Sequence, residues 1–136
     1  MDFVLAKRFP RQPEFVANVR RFVVDALAEG PFRALSENAE LLASELTTNA
    51  VQHGSGGLVH IQLTGCGDTL CVKVRDSGRT TVPQPRNGRS NPLAEQGRGI
   101  NIVEHLADTW GFQRDDDGTE VWFRLSTSPD GSGRLH

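Results

Sequence analysis

Two runs of strict alternation constrain this chain more than any other feature. In Leu58 to Thr64, Val59, Ile61 and Leu63 alternate with His60, Gln62 and Thr64; in Leu70 to Asp76, Leu70, Val72 and Val74 alternate with Cys71, Lys73 and Arg75. A period of two puts all the apolar side chains of a strand on one face, so the runs make a sheet with one dry and one wet side. Gly65 to Asp68 supply the hairpin turn between them. A dry sheet face needs a cover, and the cover is written upstream. Phe15, Val16, Val19, Phe22, Val23, Ala26 and Leu27 follow helical spacing, opened by Pro13 and Glu14 and closed by Gly30 and Pro31. A second helix is expected from Ser36, an N-cap residue type, through Leu41, Leu42, Leu46 and Ala50 to a stop at Gly54.

Residues 3–9 have strand character and end at Pro10. Residues 77–96 have no periodicity and hold three prolines and three arginines, so this long loop is expected to be either disordered or a functional lid. Gly97-Arg98-Gly99 then opens a helix containing Ile100, Ile102, Val103, Leu106 and Ala107. Two strands close the chain, Thr109 to Arg114 and Thr119 to Ser126, joined by the acidic turn Asp115-Asp116-Asp117-Gly118, with Val121, Phe123 and Leu125 facing inward. The expected fold class is α+β: a two-layer α/β sandwich with helices on one face of a mixed, mostly antiparallel sheet.

A length of 136 residues fits one domain, placed at 1–128, with 129–136 a flexible tail. The net charge of -2 gives no basic footprint for nucleic acid. No apolar run of membrane-spanning length occurs, and the first residues are too polar for a signal peptide, so a cytoplasmic location is expected. Cys66 and Cys71 lack metal-site spacing and are expected to be free thiols.

Three clusters carry chemistry. Glu45, Asn49 and His53 follow one four-residue step along the second helix, beside Leu42, Leu46 and Ala50. An isolated pair of this kind is ordinarily a solvated helix face, and a lone His53 is ordinarily a helix-end cation. A carboxylate and a carboxamide on the shoulder of a core-facing helix would also suit a hydrated magnesium ion bridging to phosphate. Asp76, followed by Ser77 and Gly78, ends an alternating strand and should sit at the mouth of the sheet. There it is either a turn aspartate or an acceptor for an adenine amino group. Gly97 and Gly99 at a helix start either end a flexible loop or let the backbone approach a phosphate.

Taken in order, these clusters resemble the Bergerat-fold, or GHKL, ATP-binding superfamily over nearly the whole chain. Glu45 to Asn49 match the N box, Asp76-Ser77-Gly78 the first half of the D-x-G-x-G box, and Gly97-Arg98-Gly99-Ile100 the second glycine box. Gly118-Thr119 looks like the late threonine beside adenine. The stretches Glu45-Leu-Thr-Thr-Asn-Ala-Val-Gln-His-Gly54 and Gly97-Arg-Gly-Ile-Asn-Ile-Val-Glu104 look like the anti-sigma-factor serine/threonine kinases of the RsbW and SpoIIAB type.

That resemblance implies a kinase using ATP and Mg2+. Its expected protein partners are a sigma factor, which it sequesters, and a STAS-type anti-sigma-factor antagonist, which it phosphorylates; a homodimer is expected too. Carried over, Glu45 would be the general base and Asn49 the magnesium ligand. His53, Asp76, Gly78, Gly97, Arg98, Gly99, Ile100 and Thr119 would bind nucleotide, with Arg89 or Arg98 neutralising the transferring phosphoryl group. Two departures stand out: Thr80 replaces the second glycine of the first box, and Glu95-Gln96 occupy the place where an arginine is common. They bear on catalysis more than on binding and leave an alternative, a catalytically weak or inactive ATP-binding module acting by protein contact.

Overall fold

The computed structural model describes residues 2–54, 56–76, 106–115 and 118–127. Strand β1 (Phe3–Pro10) leads through a 3₁₀ turn, Pro13–Phe15, into helix α1 (Val16–Leu27). A second 3₁₀ turn, Arg33–Leu35, leads into α2 (Ser36–His53), and four strands follow: β2 (Leu58–Cys66), β3 (Thr69–Asp76), β4 (Thr109–Asp115) and β5 (Gly118–Ser126). The sheet order is β1-β2-β3-β5-β4. Every described pairing is antiparallel, so the parallel component expected of a mixed sheet is absent among these residues. The two-layer α+β sandwich itself is as expected. The tail at 129–136, the lid at 77–96 and most of the helix from Gly97 lie outside the described residues.

The alternation sets which face is dry. Val59, Ile61, Leu63, Leu70, Val72, Val74, Val121, Phe123 and Leu125 are all buried. In register, Ile61 lies opposite Val74 and Val74 opposite Val121, so rows of branched side chains cross the middle of the sheet. Helix α2 covers this face. It buries Ala39, Leu42, Ala43, Leu46 and Ala50, and also Thr47 and Asn49, because it packs against both the sheet and α1. Helix α1 buries the narrower stripe Val19, Val23 and Leu27. The Phe22 ring meets Phe9 of β1 edge-on at 5.9 Å.

Two local expectations need adjustment. Ser36 does not cap α2: the chain enters already helical, with Leu35 at the cap position and no side-chain cap hydrogen bond. The hairpin strands run on to Cys66 and Thr69, so the turn is Gly67-Asp68, with Gly67 at φ 62°. Helix α2 stops at His53 as expected, but Gly54 is extended (φ -85°, ψ -167°), so the left-handed conformation is not what calls for glycine there. Cys66 and Cys71 are free thiols, as expected, and burial raises the Cys71 pKa against the opposing pull of Arg124 and Lys73.

On the other face of the sheet, Arg8, His60, Arg75 and Glu120 form one row across four strands. Partial burial, then the charges of Arg8 and Arg75, hold the His60 pKa below its usual 6.5. A histidine whose folded pKa is depressed leaves stability intact above the unfolded value and erodes it as pH falls through that value. His60→Gln is therefore expected to flatten the slope of Tm against pH below about 6.5; equal slopes in both proteins would refute this.

Candidate functional site

At one end of the sandwich, the C-terminus of α2 faces the ends of β3, β4 and β5 across a narrow crevice of about 20 Å³ that opens to solvent. Asn49, His53 and Gly54 line one wall; Val74, Asp76, Arg114, Thr119 and Val121 line the other. The wall placement follows from parity. Asp76 is two residues beyond Val74, so its side chain takes the next inward position and is only 3% exposed. Thr119 is two residues before Val121 and falls on the same face.

Two glycines make room for the Asp76 carboxylate. A Cβ at Gly54 would lie 2.8 Å from Asp76 Oδ2 and 2.5 Å from the Ala50 carbonyl oxygen. A Cβ at Gly118 would lie 2.6 Å from Asp76 Oδ1 and would overlap the Asp76 carbonyl, and Gly118 also has φ +147°. The Thr119 N–H donates to Asp76 Oδ1 at 3.3 Å. The start of β5 is tied to the end of β4 by Asp115 Oδ1, which accepts from the Gly118 N–H at 3.1 Å and from Arg75 at 2.9 Å.

The end of α2 is held from outside. Arg11 donates from a terminal guanidinium nitrogen to the Val51 carbonyl at 2.8 Å and the Ala50 carbonyl at 3.4 Å, and from Nε to the Gly56 carbonyl at 2.7 Å. The last turn of a helix leaves carbonyls without intrahelical partners and carries a partial negative charge, and one arginine answers both.

Asn49 is 4% exposed, and its Oδ1 has no hydrogen-bond partner among the described residues. A buried, unmatched oxygen on the crevice wall is a donor type that magnesium takes. His53 lines the crevice at the exposed end of the helix. Glu45 is half-buried one helical turn back from Asn49 and is not part of the described wall. Gly78, Gly97, Arg98, Gly99 and Ile100, with Arg89, lie outside the described residues. The structure thus brings Asn49, His53, Asp76 and Thr119 together. It adds Gly54, Gly118 and Arg114 as site-forming residues; of these, Arg114 could have been found from its shared parity with Trp110, which packs against the core.

A crevice with a buried carboxylate acceptor at its base and an unmatched amide oxygen on its helix wall can take a ligand offering an amino donor at one end and metal-bound anionic groups at the other. The histidine kinase-like ATPase domain family matches residues 9–125, and the chain belongs to that family. An ATPase domain of this kind binds ATP. No curated protein matches the chain. Among the described residues, no helix is long and apolar enough to cross a membrane.

Gly54→Ala is expected to leave the chain folded and to weaken ADP binding at least tenfold by displacing the Asp76 carboxylate; calorimetry with circular dichroism as the folding control checks it. Arg11→Ala is expected to lower stability by about 1 kcal/mol, read from denaturant unfolding, because the Val51 and Gly56 carbonyls lose the guanidinium, whereas the Ala50 carbonyl keeps the Gly54 N–H.

Proposed function

We propose that this chain is an ATP- and magnesium-dependent serine/threonine-protein kinase that also acts as an anti-sigma factor. In this reading it sequesters a sigma factor, and it phosphorylates a STAS-type antagonist protein to switch partners. The observation that carries the nucleotide half of the reading is the buried Asp76 carboxylate, held between Gly54 and Gly118 at the base of a crevice. The kinase half is supported by Glu45, a carboxylate one turn from Asn49 on the same helix, and by the motif resemblance at 45–54 and 97–104.

In the proposed reaction, Asp76 accepts from the adenine amino group, and a base lacking that donor forfeits this hydrogen bond. Thr119 holds Asp76 in place through its backbone N–H. Asn49 Oδ1 would hold magnesium, which would supply positive charge against the phosphates. Glu45 takes the proton from the antagonist's serine or threonine hydroxyl, a role typically worth ~10²–10⁴ in rate. The hydroxyl oxygen bonds to the γ-phosphorus as the bond to the β,γ-bridging oxygen breaks, and ADP leaves. His53, Gly78, Gly97, Arg98, Gly99 and Ile100 belong to the nucleotide side of this reading, and a homodimer and a cytoplasmic location belong to its cellular side.

Transfer of labelled phosphate to a cognate antagonist tests it. Glu45→Ala is expected to keep ADP affinity within about twofold and to lose transfer by ~10²-fold or more. Asn49→Ala is expected to lose the magnesium-dependent increment of ADP affinity. Transfer at the wild-type rate by Glu45→Ala would remove Glu45 as base, and absence of transfer by the wild type to a verified partner would remove the kinase.

A further inference from the structure

Arg114 and Thr119 are register partners across β4 and β5, and Thr119 bonds Asp76 at the end of β3. Carboxylate, hydroxyl and guanidinium therefore form one row across the end of the sheet, and all three residues line the crevice. Along β4, Arg114 shares parity with Trp110 and Phe112, whereas Gly111 lies on the opposite, open face beside Trp122. Arg114 is half-buried, and its Nε is buried with no acceptor among the described residues. Native structures rarely leave a buried guanidinium donor unmatched, and a guanidinium cannot escape by losing its proton.

We infer that Arg114 is a nucleotide-recognition residue whose guanidinium donates to a purine ring nitrogen next to the amino group read by Asp76. The inference rests on the nucleotide reading of the crevice. Its chemistry is complementarity along one edge. Adenine presents an amino donor flanked by an acceptor nitrogen on either side; a carboxylate can read the donor, and a neighbouring cationic donor reads an acceptor. The shared row with Asp76 puts Arg114 at the base end of the crevice, whereas the unmatched oxygen of Asn49 lies on the helix wall. An arginine here adds a charge-assisted contact that does not depend on magnesium.

The test is calorimetry without magnesium, using ADP, 1-deaza-ADP and 7-deaza-ADP against wild type, Arg114→Met and Arg114→Lys. Methionine retains much of the apolar stem, and circular dichroism confirms that each variant is folded. Arg114→Met is expected to bind ADP about tenfold or more weakly. Wild type is expected to lose a similar factor on one of the two deaza analogues, and Arg114→Met to lose nothing further on that analogue. Arg114→Lys, which keeps the charge without the planar fork, should fall between. Unchanged ADP affinity in Arg114→Met overturns the inference. So does an equal deaza penalty in wild type and variant, which would place the guanidinium on the phosphates or in a packing role. A wild-type chain that binds no ADP would instead sink the nucleotide reading and this inference with it.

Discussion

Asp76 occupies the position on the covered face of β3 where the alternation calls for another valine or leucine, and the architecture at that end of the molecule answers to it. A carboxylate taken out of water must be hydrogen-bonded or it destabilises the fold. The Thr119 N–H supplies one bond, which is possible because β5 begins at Gly118 and passes close against the Asp76 backbone. Helix α2 has to end at His53, since another turn with side chains would fill the space the carboxylate uses. Gly54 marks that limit. The ends of a helix and two strands are thus placed by one polar group, and the crevice is the space they leave.

The helix wall is held by a different logic. Helix α2 is buried on a wide stripe, so it cannot slide without disturbing the core rows it covers. Its last carbonyls are gripped by Arg11, just beyond the end of the edge strand β1. Asn49 therefore projects from a segment fixed along its length and at its tip. A group that must meet a cation or an anion at a defined distance gains from such rigidity, because less of the binding energy goes into ordering the protein.

Much of this was legible in the sequence, for reasons that can be stated residue by residue. Val59, Ile61, Leu63, Val72 and Val74 declare their face because side-chain alternation is a local property of strands. Asp76 could be placed at the crevice because the same parity extends to it. Gly54 reads as a helix stop from local sequence, but its φ is one any residue adopts; its need for glycine comes from Asp76, which meets it only in the folded chain. Arg11 gave no local sign, since the carbonyls it serves lie 39 to 45 residues onward. Ser36 gave a misleading one: a serine before a helical run reads as a cap whether or not a 3₁₀ turn precedes it.

On the open face, the Trp122 indole lies against Gly111 of the edge strand, with its nearest ring carbon 2.6 Å from where a Cβ would stand, and the Arg124 guanidinium sits 4.7 Å from the ring centroid. The flat ring and the bare backbone beneath it make a lock-and-key pair within one hairpin. Any side chain at 111 evicts the indole, and any smaller residue at 122 leaves an edge glycine with nothing to shield its backbone. The two positions are therefore coupled in packing, which ties the outer rim of the sheet to a single aromatic side chain.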